Sequence, residues 1–249
     1  MASRPHRDLP QRERKTLDRA LSRAGAMSRS QAQEAITAGR VRVNGLRVRD
    51  PQVWVDLERD RVELDDAPLQ AKSLVYFAFH KPVGYVTTRS DERGRATVYE
   101  LLGDLDSWIA PVGRLDRETS GLLLFTNDTD WAERVTNPRS KLFKRYEVLA
   151  RGALDEAQLE RLRTGVELDD GRTAPARVER LGEQGPDTRL ALAIAEGRNR
   201  QVRRMLEAVG SRVLALHRVA IGPLELGALA AGQTRKLKPF EVRALAGSV

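Results

Sequence analysis

Apolar positions along this chain change period several times, and each change marks an element. Leu17, Ala20, Leu21 and Ala24 fall three and four residues apart, so Thr16 is placed to cap a short helix that Gly25 ends. Ser28 and Gln31 have the spacing of a capping box, which opens a second helix stopped at Gly39. Residues 40–49 then alternate apolar side chains with arginine around Asn44-Gly45, a pair that tolerates the positive φ of a tight hairpin turn. Val41, Val43, Leu46 and Val48 form one face of that hairpin, and arginines form the other.

From residue 74 onward apolar strands alternate with short helices. Strands are expected at 74–79, 121–125, 143–150, 188–195 and 213–219. Helices are expected at 97–102, 128–135, 155–164 and 199–209, with Leu159 and Leu162 inward in the third and Gly165 and Gly210 as stops. The pattern is α+β: a small helix-helix-hairpin module at 15–65, a linker at 66–73, and a larger domain at 74–245. Residues 1–14, with two prolines and few apolar side chains, read as a disordered basic arm.

At 249 residues and 27.8 kDa the chain is long enough to bury a core without crosslinks. It contains no cysteine, which excludes thiol catalysis and cysteine zinc sites. Its apolar runs fall far short of the ~20 residues a membrane span needs, and the N-terminus lacks the apolar core of a signal peptide. A soluble cytoplasmic protein is expected.

Charge changes the picture. The formal net charge is +8, and 36 of the 43 basic residues are arginine, the side chain that forks onto phosphate and stacks on bases. From 19 to 49 there are seven arginines, at 19, 23, 29, 40, 42, 47 and 49, against the single acid Glu34; from 50 to 66 there are seven acids against two arginines. Arg19, Arg23, Arg29, Arg40, Arg42 and Arg47 are candidates for a phosphate-tracking face, with a merely solvated face as the alternative.

Familiar catalytic signatures are missing: no phosphate-binding GxxxxGK[ST], GxGxxG, HExxH or GxSxG occurs. The three histidines, 6, 80 and 217, lie far apart in sequence, which argues against a metal centre, and Ser120 has no evident base. What remains is Gly113-Arg-Leu-Asp-Arg-Glu-Thr-Ser-Gly121, where Asp116 stands between two arginines ahead of an apolar strand. Such neighbours suit a carboxylate to act as nucleophile or as stabiliser of an electron-poor sugar carbon, although a turn-capping aspartate has the same look. Glu196-Gly-Arg-Asn-Arg-Gln-Val-Arg-Arg-Met205 offers a helix start with Arg198, Arg200 and Arg203, an anion site or a solvated basic face. Tyr146, in Lys144-Arg-Tyr146, is either a base-stacking ring or a half-buried strand residue.

In order and spacing these segments, with Lys81-Pro-Val-Gly-Tyr-Val-Thr-Thr88, resemble the motifs of the RsuA-like family of ribosomal RNA pseudouridine synthases. Residues 15–62, with Ser28-Arg-Ser30 and Gly39-Arg-Val-Arg-Val-Asn-Gly45, resemble the RNA-binding module of ribosomal protein S-four. One departure is His80, where the family places asparagine. The resemblance implies a mixed, mainly antiparallel catalytic sheet and the cofactor-free, metal-free isomerisation of uridine to pseudouridine. It implies Asp116 as the catalytic aspartate, Tyr146 against the uracil, Arg203 paired with Asp116, and Arg114 as the wedge that replaces a flipped base. Lys81, Arg198 and Arg200 join the expected RNA contacts. The implied partner is ribosomal RNA or a subunit assembly intermediate. A monomer is expected, since RNA can bury the exposed basic faces. A non-catalytic ribosome-assembly factor and a hydrolytic base glycosylase are the rival readings.

Overall fold

The computed structural model describes residues 14–70, 73–103 and 108–247. Apart from Arg14, the expected basic arm lies outside them. The chain divides into two compact units, one built on residues up to 75 together with 108–109 and 127–129, the other on the remainder.

In the first unit β1 (Lys15–Thr16) leads into α1 (Leu17–Arg23) and α2 (Arg29–Thr37). Both sides of the Ser28/Gln31 capping box are present, and Gly25 and Gly39 take the left-handed conformation that ends each helix. Strands β2 (Val41–Val43) and β3 (Leu46–Val48) follow, joined by Asn44 at φ 52° and Gly45 at φ 80°. Then come β4 (Trp54–Val55), paired with β1, and β5 (Val62–Leu64). The last strand, β6 (Ala67–Pro68), corrects the expected linker at 66–73: Leu64 pairs with Ala67 across the two-residue turn Asp65-Asp66, so the module's sheet, in order β3-β2-β5-β6, extends into it. Leu17, Leu21, Ile36, Val41 and Val55 form its core. Leu46, on the apolar face by register, is 75% exposed because it lies at the hairpin tip, beyond the helices' reach.

The second unit comprises β7 (Tyr76–Lys81), β8 (Ala110–Val112), β9 (Thr119–Thr126), α3 (Thr129–Thr136), β10 (Lys144–Ala150), α4 (Glu156–Thr164), β11 (Arg177–Gln184), β12 (Asp187–Ile194), α5 (Gln201–Ala208), β13 (Val213–Ile221), β14 (Leu224–Glu225), β15 (Thr234–Lys236) and α6 (Pro239–Ala246). Its sheet runs β11-β12-β10-β13-β9-β7-β15, with β14 beside β13 and β8 beside β9. Every pairing is antiparallel except β13 with β9.

One sheet face carries Ala78, Leu122 and Leu124 against Trp131, Val135 and Leu245. The other carries Val148, Leu190, Leu192 and Leu216, and it is the face on which Lys81, Gly121, Arg218 and Tyr146 stand side by side across β7, β9, β13 and β10. The expected helix at 97–102 is a single 3-10 turn, Val98–Leu101. The helix expected at 199 begins at Gln201, because Arg200 is left-handed at φ 48°. β8, β11 and β15 carry no clear sequence signal; β11, for example, buries only Val178 and presents charge elsewhere. α6 does carry one, Pro239 in its first turn and Gly247 past its end, and is a helix beyond those expected.

Candidate active site

Asp116 sits in the loop between β8 and β9, about 30% exposed, and the loop's backbone is held at every carbonyl from 115 to 119. Thr87 donates its hydroxyl to the Leu115 carbonyl at 2.8 Å and accepts from the Leu115 N–H at 3.2 Å. The Asp116 carbonyl accepts from Thr119 N–H at 3.0 Å, and the Arg117 carbonyl accepts from Gly84 N–H at 2.8 Å. Arg203 Nη2 donates to the Glu118 carbonyl at 3.1 Å. Lys81 Nζ reaches the carbonyls of Thr119 at 2.8 Å, Pro82 at 3.0 Å and Arg117 at 3.4 Å. A carboxylate on such a loop is fixed before any substrate arrives, the condition under which electrostatic catalysis is most effective.

These contacts revise three expectations. Lys81 has no exposed surface, which removes the basis for expecting it among the RNA contacts; its ammonium ties the Asp116 loop from beneath. Burial draws its pKa down to about 8, against the raising influence of Asp116 and Glu118. Arg203 does not ion-pair with Asp116. Arg200, at the turn before α5, approaches Asp116 Oδ2 at 3.8 Å and Glu118 Oε2 at 3.1 Å, whereas Arg203, in the first turn of the helix, meets loop backbone instead. Arg198 is a strut: Nε binds Glu196 at 3.0 Å, Nη1 the Gly171 carbonyl at 2.7 Å, and Nη2 the Arg172 carbonyl at 2.7 Å.

Gly121 explains why the motif needs glycine. It is at φ 109°, and a Cβ there would lie 2.2 Å from the Arg218 carbonyl, so only glycine lets β9 and β13 pair in parallel at this point. Tyr146 is 9% exposed beside Arg218, and its hydroxyl has no hydrogen-bond partner among the described residues. Arg114 is exposed on the Asp116 loop and makes no ion pair or side-chain hydrogen bond among them. Arg218 is a site residue beyond those expected. Its only sequence signal is a single cation inside the apolar run of β13.

The reverse face of the sheet supplies a further correction. Ser120 does have an imidazole beside it: His217 Nδ1 lies 2.8 Å from its Oγ, and the His80 ring is 5.2 Å from that of His217. Burial lowers the His217 pKa, and among the described residues no carboxylate ion-pairs with it, so the orienting third member of a hydrolytic triad is missing. No metal-binding cluster of three or more ligands occurs among the described residues.

In the first unit, Arg19 and Arg47 are exposed, as is Arg23. Arg29 donates to the buried Asp18 at 2.7 Å, Arg40 makes a two-pronged pair with Asp65, and Arg42 approaches Asp66 at 3.2 Å. The acids that follow in sequence thus fold back onto part of the basic face.

The family model described as RNA pseudouridylate synthase matches residues 75–208, the segment that contains Lys81, Arg114, Asp116, Gly121, Tyr146, Arg200 and Arg203. The chain belongs to the RNA pseudouridylate synthase family. It is an isomerase of uridine in RNA, and an S4 domain matches its residues 15–62. The synthase is similar to the ribosomal large subunit pseudouridine synthase B of Bacillus subtilis, 37% identical over 231 residues, 92% of this chain and 94% of the relative. It is 41% identical over 231 residues, 92% of each chain, to a protein of Aquifex aeolicus named "Uncharacterized RNA pseudouridine synthase". A crystal structure of a pseudouridylate synthase aligns with a TM-score of 0.68 at 32% identity, covering 93% of this chain and 99% of that one. Among the described residues no helix is long and apolar enough to cross a membrane.

Proposed function

We propose that this synthase converts one uridine of large-subunit ribosomal RNA into pseudouridine, without cofactor or metal, in the cytoplasm and as a monomer. The observation that carries the reading is the Asp116 loop, whose carbonyls are held from both sides while its carboxylate stays open to solvent. In this reading Asp116 meets the ribose C1′ as the bond to uracil N1 breaks, either by attacking it or by stabilising its positive charge. Tyr146 lies against the uracil and helps to remove the C5 proton once the ring has turned. Arg203 acts through the loop backbone and Arg200 through the carboxylate itself. A paired uridine must leave its stack, at a cost of a few kcal/mol, and Arg114 fills the gap, since a guanidinium plane stacks on bases. The exposed arginines of the first unit supply affinity for phosphate, and an assembly intermediate offers the same backbone as naked RNA.

Pseudouridine mapping by carbodiimide labelling and primer extension tests this on ribosomal RNA and partly assembled subunits. Wild type gives one new stop in large-subunit RNA, and Asp116→Asn gives none. Binding without any stop in either substrate supports the assembly-factor reading instead, and release of free uracil supports the glycosylase.

A further inference from the structure

Arg218 is 5% exposed, yet its Nη2 has no hydrogen-bond partner among the described residues. Its Nε is anchored to the Leu122 carbonyl at 2.7 Å, so the guanidinium is not free to swing out to water. By register it stands beside Tyr146 on one side and over Gly121 on the other, on the face that carries Lys81. Lys144, two residues before Tyr146 on the same strand and the same face, reaches among the described residues only the Ala195 carbonyl, at 3.5 Å. None of Lys81, Lys144 and Arg218 has an ion-pair partner among the described residues, while the nearby acids Asp116 and Glu118 are engaged by Arg200. Burial lowers the pKa of Lys144 and of Lys81, and in each case the positive charge of Arg218 adds to the effect, so both lysines lie within its field. A buried cation group with a fixed, unused donor is arranged for an anion that is present only part of the time.

We propose that Arg218 is the hydrogen-bond and charge partner of the uracil ring when it departs as an anion, with Lys144 adding to the field. This rests on the functional reading above. As C1′–N1 breaks, its electron pair leaves with the ring, and the negative charge spreads over N1 and the carbonyl oxygens O2 and O4. After the ring turns, C5 gives a pair to C1′, the C5 proton is released and N1 takes up a proton, so substrate and product contain the same atoms. Arg218 Nη2 donates to a ring oxygen most strongly while the ring is detached. Its contribution therefore falls on kcat rather than on RNA affinity.

Arg218→Gln and Arg218→Lys are compared with wild type on an RNA carrying uridine, or 5-fluorouridine, at the mapped position. Fluorine withdraws charge from the ring and makes it a better leaving group. Arg218→Gln is expected to lower kcat on uridine about 100-fold with little change in KM, and Arg218→Lys, which keeps the charge, to recover part of this. The deficit in glycosidic-bond cleavage should shrink about tenfold on 5-fluorouridine, a dependence that a packing role does not produce. Equal deficits on the two substrates overturn the proposal, as does an effect confined to KM and its salt dependence, which assigns Arg218 to a phosphate. Should Arg218→Gln not fold, the leaving-group comparison on Arg218→Lys decides alone. A wild type that makes no pseudouridine overturns the functional reading itself, whereas a wild type that does so while the variants match it overturns only the role of Arg218.

Discussion

Lys81 donates to three backbone carbonyls, and its charge is held there against the cost of burial. The unfolded chain keeps this proton to about pH 10.5, the folded chain only to about 8, so the buried ammonium costs stability below about 8 and the cost is relieved as pH rises from there toward 10.5. Activity should run the other way, because a neutral amine holds the Asp116 loop less firmly. Wild-type kcat/KM is expected to fall through about pH 8, and Lys81→Met to be lower throughout and to lack that limb, as pH–rate profiles of the two proteins would show. Gly121 is equally constrained. Gly121→Ala combines a positive-φ penalty with a collision at the Arg218 backbone, so urea denaturation should show a loss of about 2 kcal/mol or more. In sequence both residues are visible as motif positions. Their physical work is not, since Lys81 reads equally well as a surface cation for RNA.

At the level of elements, local signals are legible at several caps and turns, while the Asp65-Asp66 turn into β6 and the helix α6 go beyond those expected. The Ser28/Gln31 and Asp155/Gln158 capping boxes and the Asn44-Gly45 turn are all formed. Exposed strands such as β11 were not legible, because a strand with few buried positions has little alternation to show. Nor was the buried carboxylate that joins the two helices of the first unit. Asp18 accepts from Thr16 Oγ1 at 2.5 Å, Arg19 N–H at 2.7 Å, Arg29 Nε at 2.7 Å and Gln33 Nε2 at 2.9 Å. Burial alone would raise its pKa, but these four bonds prevail and lower it from 3.8 to about 2. The stabilisation is therefore complete above pH 3.8 and is lost as pH falls toward 2. Asp18→Ala should cost ~2 kcal/mol at neutral pH and flatten the acid-unfolding profile of the first unit in that window, measurable by circular dichroism.

For the whole molecule, net charge sets the class of partner, while the spatial arrangement of charge sets which arginines are available to it. Arg40 and Arg42 face Asp65 and Asp66, so Arg40→Ala/Arg42→Ala should weaken RNA binding less than Arg19→Ala/Arg47→Ala. The second pair should also reduce the salt dependence of the dissociation constant, by about one unit of slope for each phosphate that is no longer neutralised, in filter-binding titrations at several ionic strengths. Composition, caps, the hairpin turn and the spacing of four motifs are properties of the chain in order, and they were enough to determine the class of fold, the family and Asp116 as the residue to watch. Tertiary structure alone decided that Lys81 lies buried beneath that residue and not at the surface, that Arg200 and not Arg203 is its ion-pair partner, that acids return onto the hairpin's arginines, and that Arg218 stands buried beside Tyr146 with a donor unpartnered among the described residues. Each of these depends on which side chains from distant strands share one sheet face, and on how much water is left there. Burial and pairing of that kind belong to the packed sheet rather than to any segment of the sequence.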